Sequence, residues 1–167
     1  DAQGFYKGLF SDDVAQMTRE GKIGSFLHVL TTEEANLLQE LALQSPLQIP
    51  ILIGIDAIHG NALVSGTTVY PSPISLASTW SDSFLYDVGK QSAKEMRATG
   101  SHWAFTPNID VLRDPRWGRV GETFGEDPFM VGNMGAAMIN GFQQGDFSGT
   151  EKVIACAKHM IAGGEPV

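Results

Sequence analysis

Apolar residues fall into short unbroken runs separated by longer stretches with helical spacing. The first run, GSFLHVL at 24–30, predicts a strand, and residues 31–44 predict a helix. Thr31 or Thr32 supplies its N-cap, Glu33 and Glu34 place negative charge beside its first-turn N–H groups, and Pro46 ends it. ILIGID at 51–56 predicts a second strand, whose near-continuous apolar character marks burial on both faces, as in parallel sheets. A helix follows from Ser81 or Asp82, stopping at Gly100, then a strand at 103–106, a helix over 128–144 with Pro128 in its first turn, and a strand at 153–157.

Strand and helix in strict alternation predict a parallel sheet. Each cycle takes roughly 40 residues, the allotment of a (β/α)8 barrel with loop insertions. The predicted fold class is therefore α/β, a partial (β/α)8 TIM-type barrel holding about the first four strand and helix cycles. A four-stranded half-barrel leaves two apolar sheet edges, so the polypeptide is expected to continue beyond Val167. The connections at 57–80 and 107–127 far exceed the roughly 2–6 residues usual for such loops. Both follow strand C-termini, the face on which barrels assemble their sites.

Composition narrows the chemistry. A formal charge of −8 repels polyphosphates and anionic lipid, which excludes nucleic acid as a partner. No apolar run approaches the ~20 residues that cross a bilayer. Cys156, the single cysteine, sits in the apolar run VIACAKHMI and is expected to be a buried, inert thiol. His28, His59, His102 and His159 lack metal-binding spacing, and no phosphate loop or GxGxxG fingerprint is present, so no metal and no cofactor are expected.

Polar groups gather where the apolar strands stop: Asp56 with His59 in IDAIHG, RDPRWGRVGETFGEDP after the third strand, and Lys158 with His159 after the fourth. Asp56 either caps a loop or accepts from two adjacent sugar hydroxyls. Most charges from Arg113 to Asp127 are expected to hold a rigid loop together through ion pairs, whereas Arg119, after Trp117 and Gly118, suits a guanidinium reaching a ligand oxygen. Lys158 is costly to bury unpaired, and His159 is either a satisfied core residue or a site residue. Adjacent residues of a strand point to opposite sides, so both reach one site only if the strand ends or bulges there. Glu122, Glu126 and Asp127 have the right type for acid–base work, but their nearness in sequence does not establish the spacing of about 5 to 9 Å that glycosidases need.

IGSFLHV, IPILIGIDAIHG, TVYPSPISLASTW, FTPNIDVLRDPRWGRVGETFGEDP and ACAKHMIAGG together resemble, block for block, the N-terminal barrel domain of glycoside hydrolase family 3, β-glucosidase members above all. The resemblance runs along nearly the whole chain and implies that residues 1–167 are the N-terminal part of a single catalytic-domain barrel. The leading helix that it implies ahead of the first strand is only weakly represented at 11–21. It implies that Asp56, Arg119, Lys158 and His159 line the pocket for the non-reducing terminal sugar. It also implies a retaining mechanism whose nucleophile Asp and acid/base Glu lie beyond Val167, leaving no catalytic residue in this segment. The stretch AGGEPV lacks the catalytic-His pattern of the family's N-acetylglucosaminidases.

The reading is hydrolysis of terminal non-reducing β-D-glycosidic bonds, with a β-glucosidase ahead of a xylosidase or other exo-β-glycosidase. The expected partners are a small carbohydrate substrate and the remainder of the same catalytic domain, and family habit implies a periplasmic or secreted location. The rivals are a carbohydrate-binding relative without catalysis and a Schiff-base lyase using Lys158.

Overall fold

A computed structural model describes residues 12–145, 148–160 and 163–164. Among them, Ser25–Leu27 (β1), Leu52–Ile55 (β2), Trp103–Ala104 (β3) and Ile154–Ala155 (β4) form one sheet. Every pairing is parallel, and the order is β1-β2-β3-β4, so the chain winds steadily in one direction as the sequence predicts. The helices are Asp12–Arg19 (α1), Thr32–Leu43 (α2), Pro73–Ala77 (α3), Asp82–Ala98 (α4) and Pro128–Gln143 (α5).

The caps explain where the helices start. Thr31 Oγ1 accepts from the Glu34 N–H at 3.2 Å and Ser81 Oγ from the Phe84 N–H at 3.2 Å. Asp127 Oδ1 accepts from the Phe129 N–H at 2.9 Å, with Pro128 pre-set for the first turn of α5. Beneath α2 lies a small core of Val29, Leu38, Ile51 and Ile53. A larger core joins Ile55 to Leu85, Val88 and Met96 of α4 and Met134, Met138 and Phe142 of α5.

Two close approaches require glycine. A Cβ on Gly54 would lie 2.6 Å from the Phe105 ring, so β2 carries no side chain where that ring crosses it. Where α4 meets α5, a Cβ on Gly141 would stand 2.2 Å from the Tyr86 carbonyl oxygen, and one on Gly89 would stand 2.5 Å from that of Met138. Backbone cannot swing aside as a flexible side chain does.

The structure departs from the sequence pattern at several points. β1 stops at Leu27, and His28 takes a left-handed conformation with φ 57°. β3 ends at Ala104, before Thr106 and Pro107, whose missing N–H cannot extend a ladder. β4 is two residues long instead of the predicted span 153–157. The connection 57–80 is not all loop: Pro73 starts α3, and His59 and Tyr70 fold the segment back through a 3.0 Å backbone hydrogen bond. The weak pattern at 11–21 is a helix, α1, packed on α2, although residue 11 lies outside the described residues. Cys156 is half-exposed and not buried, because it follows β4, which pairs on one side only among the described residues.

The α4–α5 contact makes a test within one helix. Gly141→Ala is expected to destabilise by about 1–3 kcal/mol or more through overpacking against backbone. Gly132→Ala, at an exposed α5 position with open space around it, should gain about 0.5–1 kcal/mol. Urea midpoints of the two variants against the parent check both signs.

Candidate functional site

The strand ends turn polar groups toward one cleft of about 560 Å³, lined by Asp56, Ile58, His59, Arg119, Glu122, Lys158 and His159. Asp56 comes directly after β2. Arg119 and Glu122 come from the loop after β3, where Val120–Glu122 forms a 3-10 turn. That loop is stapled in place: the Leu112 N–H donates to the Gly125 carbonyl at 3.0 Å, the Arg113 N–H to that of Gly164 at 3.1 Å, and Arg116 pairs with Asp114 at 2.5 Å. Lys158 and His159 follow the end of β4, and the peptide between them is cis. Both side chains line the cleft, as the sequence allowed only if the strand stopped there.

Two connected arms cross the cleft. In the first, Lys158 Nζ donates to Asp56 Oδ1 at 2.6 Å, and His28 Nε2 lies 3.0 Å from Asp56 Oδ2. The same Nε2 stands 3.2 Å from the Asp56 backbone nitrogen. One ring nitrogen cannot serve both at once: with a lone pair it accepts the N–H, and with a proton it donates to the carboxylate. In the second arm Arg119 grips Glu122 through Nε and Nη2 at 2.9 and 2.6 Å, and its Nη1 stands 3.1 Å from His159 Nε2. His159 Nδ1 then faces Asp110 Oδ2 at 2.7 Å.

These contacts set the charges. Burial alone would raise the Asp56 carboxyl, but the hydrogen bond and charge of Lys158, with His28 behind, hold it below its ordinary value of 3.8. Glu122 is held low by its hydrogen bonds from Arg119 against the opposing effect of burial, with the Lys158 charge and Asn108 adding to the lowering. Arg119 is correspondingly raised, first by Glu122. A general acid has to keep its proton near working pH, and the pair drives Glu122 the other way.

The structure brings all of Asp56, Arg119, Lys158 and His159 to one cleft, along with Glu122, which the sequence offers only as scaffold or as an acid–base candidate. Glu126 and Asp127 lie elsewhere: they line a separate hollow of about 260 Å³ with Trp80 and Phe124, and Asp127 caps α5. A hollow of about 540 Å³ beside α4, lined by Tyr70, Phe84, Lys90 and Glu151 among others, matches the cleft in size but receives no convergence of strand ends. Sequence reasoning missed Asp110 and His28 as supports. Each carried a signal, a charged or polar residue inside an apolar run (NIDVL and FLHVL), which identifies a group needing a partner.

A carboxyl whose folded value is depressed stabilises the fold above its unfolded value, and that stability is lost as pH falls through the folded value. The stability gap between the parent and Asp56→Asn should therefore be constant above about pH 5 and shrink as pH drops below 3.8. Denaturant titrations at a series of pH values measure the gap, and a gap that widens on acidification would contradict the assignment.

Comparison with known proteins identifies the family of the chain. Residues 6–166 match the model of the glycosyl hydrolase family 3 N terminal domain. A beta-xylosidase of Formosa agariphila is 38% identical over 149 residues, covering 84% of this chain and 21% of that protein. A periplasmic beta-glucosidase of Salmonella typhimurium is 32% identical over 152 residues, covering 90% and 19%. Among solved structures, a beta-glucosidase from Listeria innocua in complex with isofagomine superposes with a TM-score of 0.80 at 35% identity, covering 93% of this chain and 21% of that one. An exo-1,3/1,4-beta-glucanase from a Pseudoalteromonas species gives 0.82 at 32% identity, covering 90% and 21%. The chain thus spans about a fifth of the length of these relatives. Its parallel strands and helices form the partial TIM-type barrel that the sequence predicts. The chain belongs to the glycosyl hydrolase family 3 N terminal domain family.

Proposed function

We propose that the cleft holds the non-reducing terminal sugar of a β-D-glycoside, and that the polypeptide carrying this chain is an exo-acting, retaining β-glycosidase, acting first on β-glucosides. The observation that carries this is the meeting of Asp56, Arg119, Lys158 and His159 from three strand ends in one cleft. A sugar hydroxyl both donates and accepts, and the cleft offers both complements: a carboxylate to accept, and guanidinium and ammonium groups to donate. Such contacts fix the ring, and those to the 2-hydroxyl strengthen toward an oxocarbenium-like transition state. The nucleophile Asp and acid/base Glu come from the polypeptide beyond Val167, in the remainder of the same barrel and a domain after it. Glu122, bound to Arg119, is not one of the pair. Location in the periplasm or outside the cell goes with this reading, supported by the periplasmic relative.

Xylosidase action is the second reading, supported by the 38% identity to the Formosa beta-xylosidase. Glucose carries a hydroxymethyl group where xylose has hydrogen, so the ratio of kcat/KM on matched aryl β-glucosides and β-xylosides decides between them. Lys158 donates to Asp56 at 2.6 Å, whereas a Schiff-base lysine attacks as a free neutral amine, and this favours hydrolysis over the lyase.

In the full polypeptide, Asp56→Ala and Arg119→Ala should each remove charge-assisted hydrogen bonds of about 1.5–3 kcal/mol, a fall of about 10- to 150-fold in kcat/KM on an aryl β-glucoside. Unchanged kinetics in both variants would overturn the proposal.

A further inference from the structure

We infer that Asp110 fixes the tautomer of His159, so that His159 meets a bound sugar through Nε2 as a hydrogen-bond acceptor. The tautomer stands on geometry alone, and the sugar contact rests on the function proposed above. Asp110 is 1% exposed, and its carboxylate reaches His159 twice: Oδ2 lies 2.7 Å from Nδ1, and Oδ1 accepts from the His159 backbone N–H at 3.3 Å. On the far side of the ring, Arg119 Nη1 stands 3.1 Å from Nε2. A guanidinium donates and never accepts, so Nε2 holds the lone pair. A carboxylate accepts, so Nδ1 holds the proton. Both neighbours impose the same tautomer, and an imidazolium would turn a second N–H against Nη1.

Neither neighbour is free to reverse the pattern. The Asp110 backbone N–H donates to Asn108 Oδ1 at 2.8 Å, its carbonyl accepts from the Thr123 hydroxyl, and a Cβ on Gly163 would come within 3.4 Å of Oδ1. Arg119 is held from behind by Glu122. Asp110 is therefore a positioning residue: it lies under the cleft and acts through the ring. The cleft then has a defined polarity, with Lys158 and Arg119 as donors and Asp56 and His159 Nε2 as acceptors. A hydroxyl that displaces Nη1 from Nε2 has to point its proton at the ring.

The test uses the full polypeptide with ¹⁵N-labelled histidine, the His159 signals being assigned by their loss in His159→Ala. The parent should show a protonated Nδ1 and an unprotonated Nε2. Asp110→Asn, which can turn its NH2 toward Nδ1, should populate the Nε2–H form and lower kcat/KM on an aryl β-glucoside roughly 10- to 100-fold, by analogy with the loss of the carboxylate behind a metal-bound histidine. In the His159→Ala background the same change should cost under about 2-fold, since a residue acting through the ring has nothing left to act on. An Nε2–H tautomer or an imidazolium in the parent overturns the inference, and so does an equal loss of kcat/KM in both backgrounds. The parent spectrum decides the tautomer even if Asp110→Asn does not fold. It also does so if the polypeptide hydrolyses no β-glycoside, a result that removes the proposed function and leaves the tautomer standing.

Discussion

Lys158 and Asp56 follow strands that do not pair with each other, and the 2.6 Å bond between their side chains spans β3 to close one wall of the cleft. Lys158 has 15% of its side chain exposed and Asp56 38%. An ammonium that far from water needs a partner, and the carboxylate at the end of β2 is placed to be one. Remove Asp56 and Lys158 loses its carboxylate partner while still largely shielded from water, which costs more than the pair itself contributes. The rest of the site is arranged around this constraint. His28 supports Asp56 from β1, and the Asn108–Lys158 bridge continues the β3–β4 contact past the regular strands.

The second arm obeys the same rule with different partners. Arg119 is a fixed fork, and Glu122, three residues on in a 3-10 turn, fills it with two parallel hydrogen bonds. That leaves Nη1 for His159 and makes Glu122 a holder of charge. The cleft thus keeps its cations and anions paired before any ligand arrives, so the sugar proposed to enter it would meet groups already aimed, at little cost in ordering side chains.

Much of this was legible in the sequence, because each level pointed the same way. Thr31 and Ser81 cap the helices they precede, Pro128 marks the start of α5, and the alternation of apolar runs with amphipathic stretches gives the parallel order. The polar segments that hold Asp56, Arg119, Lys158 and His159 stood out after the apolar strands, and the family resemblance singled out these four within them. Local pattern did not reveal what depends on partners far along the chain. Asp110 lies 49 residues from His159, and His28 lies 28 from Asp56. Strand lengths were overread because GSFLHVL and VIACA remain apolar after the ladder has ended, at His28 through its left-handed turn and after Ala155 through the irregular chain leading to Lys158. The short helix α3 hid inside a run of prolines and serines that also suits a loop, and only Pro73 at its first turn identifies it.

The cleft between these strand ends is where a terminal sugar is proposed to sit, and every other functional statement depends on that placement. A crystal structure of the full polypeptide with bound glucose tests it most directly. Sugar oxygens are expected about 2.6–3.2 Å from the Asp56 carboxylate, Lys158 Nζ, the Arg119 guanidinium and His159 Nε2. Glucose seated elsewhere, such as the hollow beside Trp80, with these four side chains still held by their present protein partners, would contradict it.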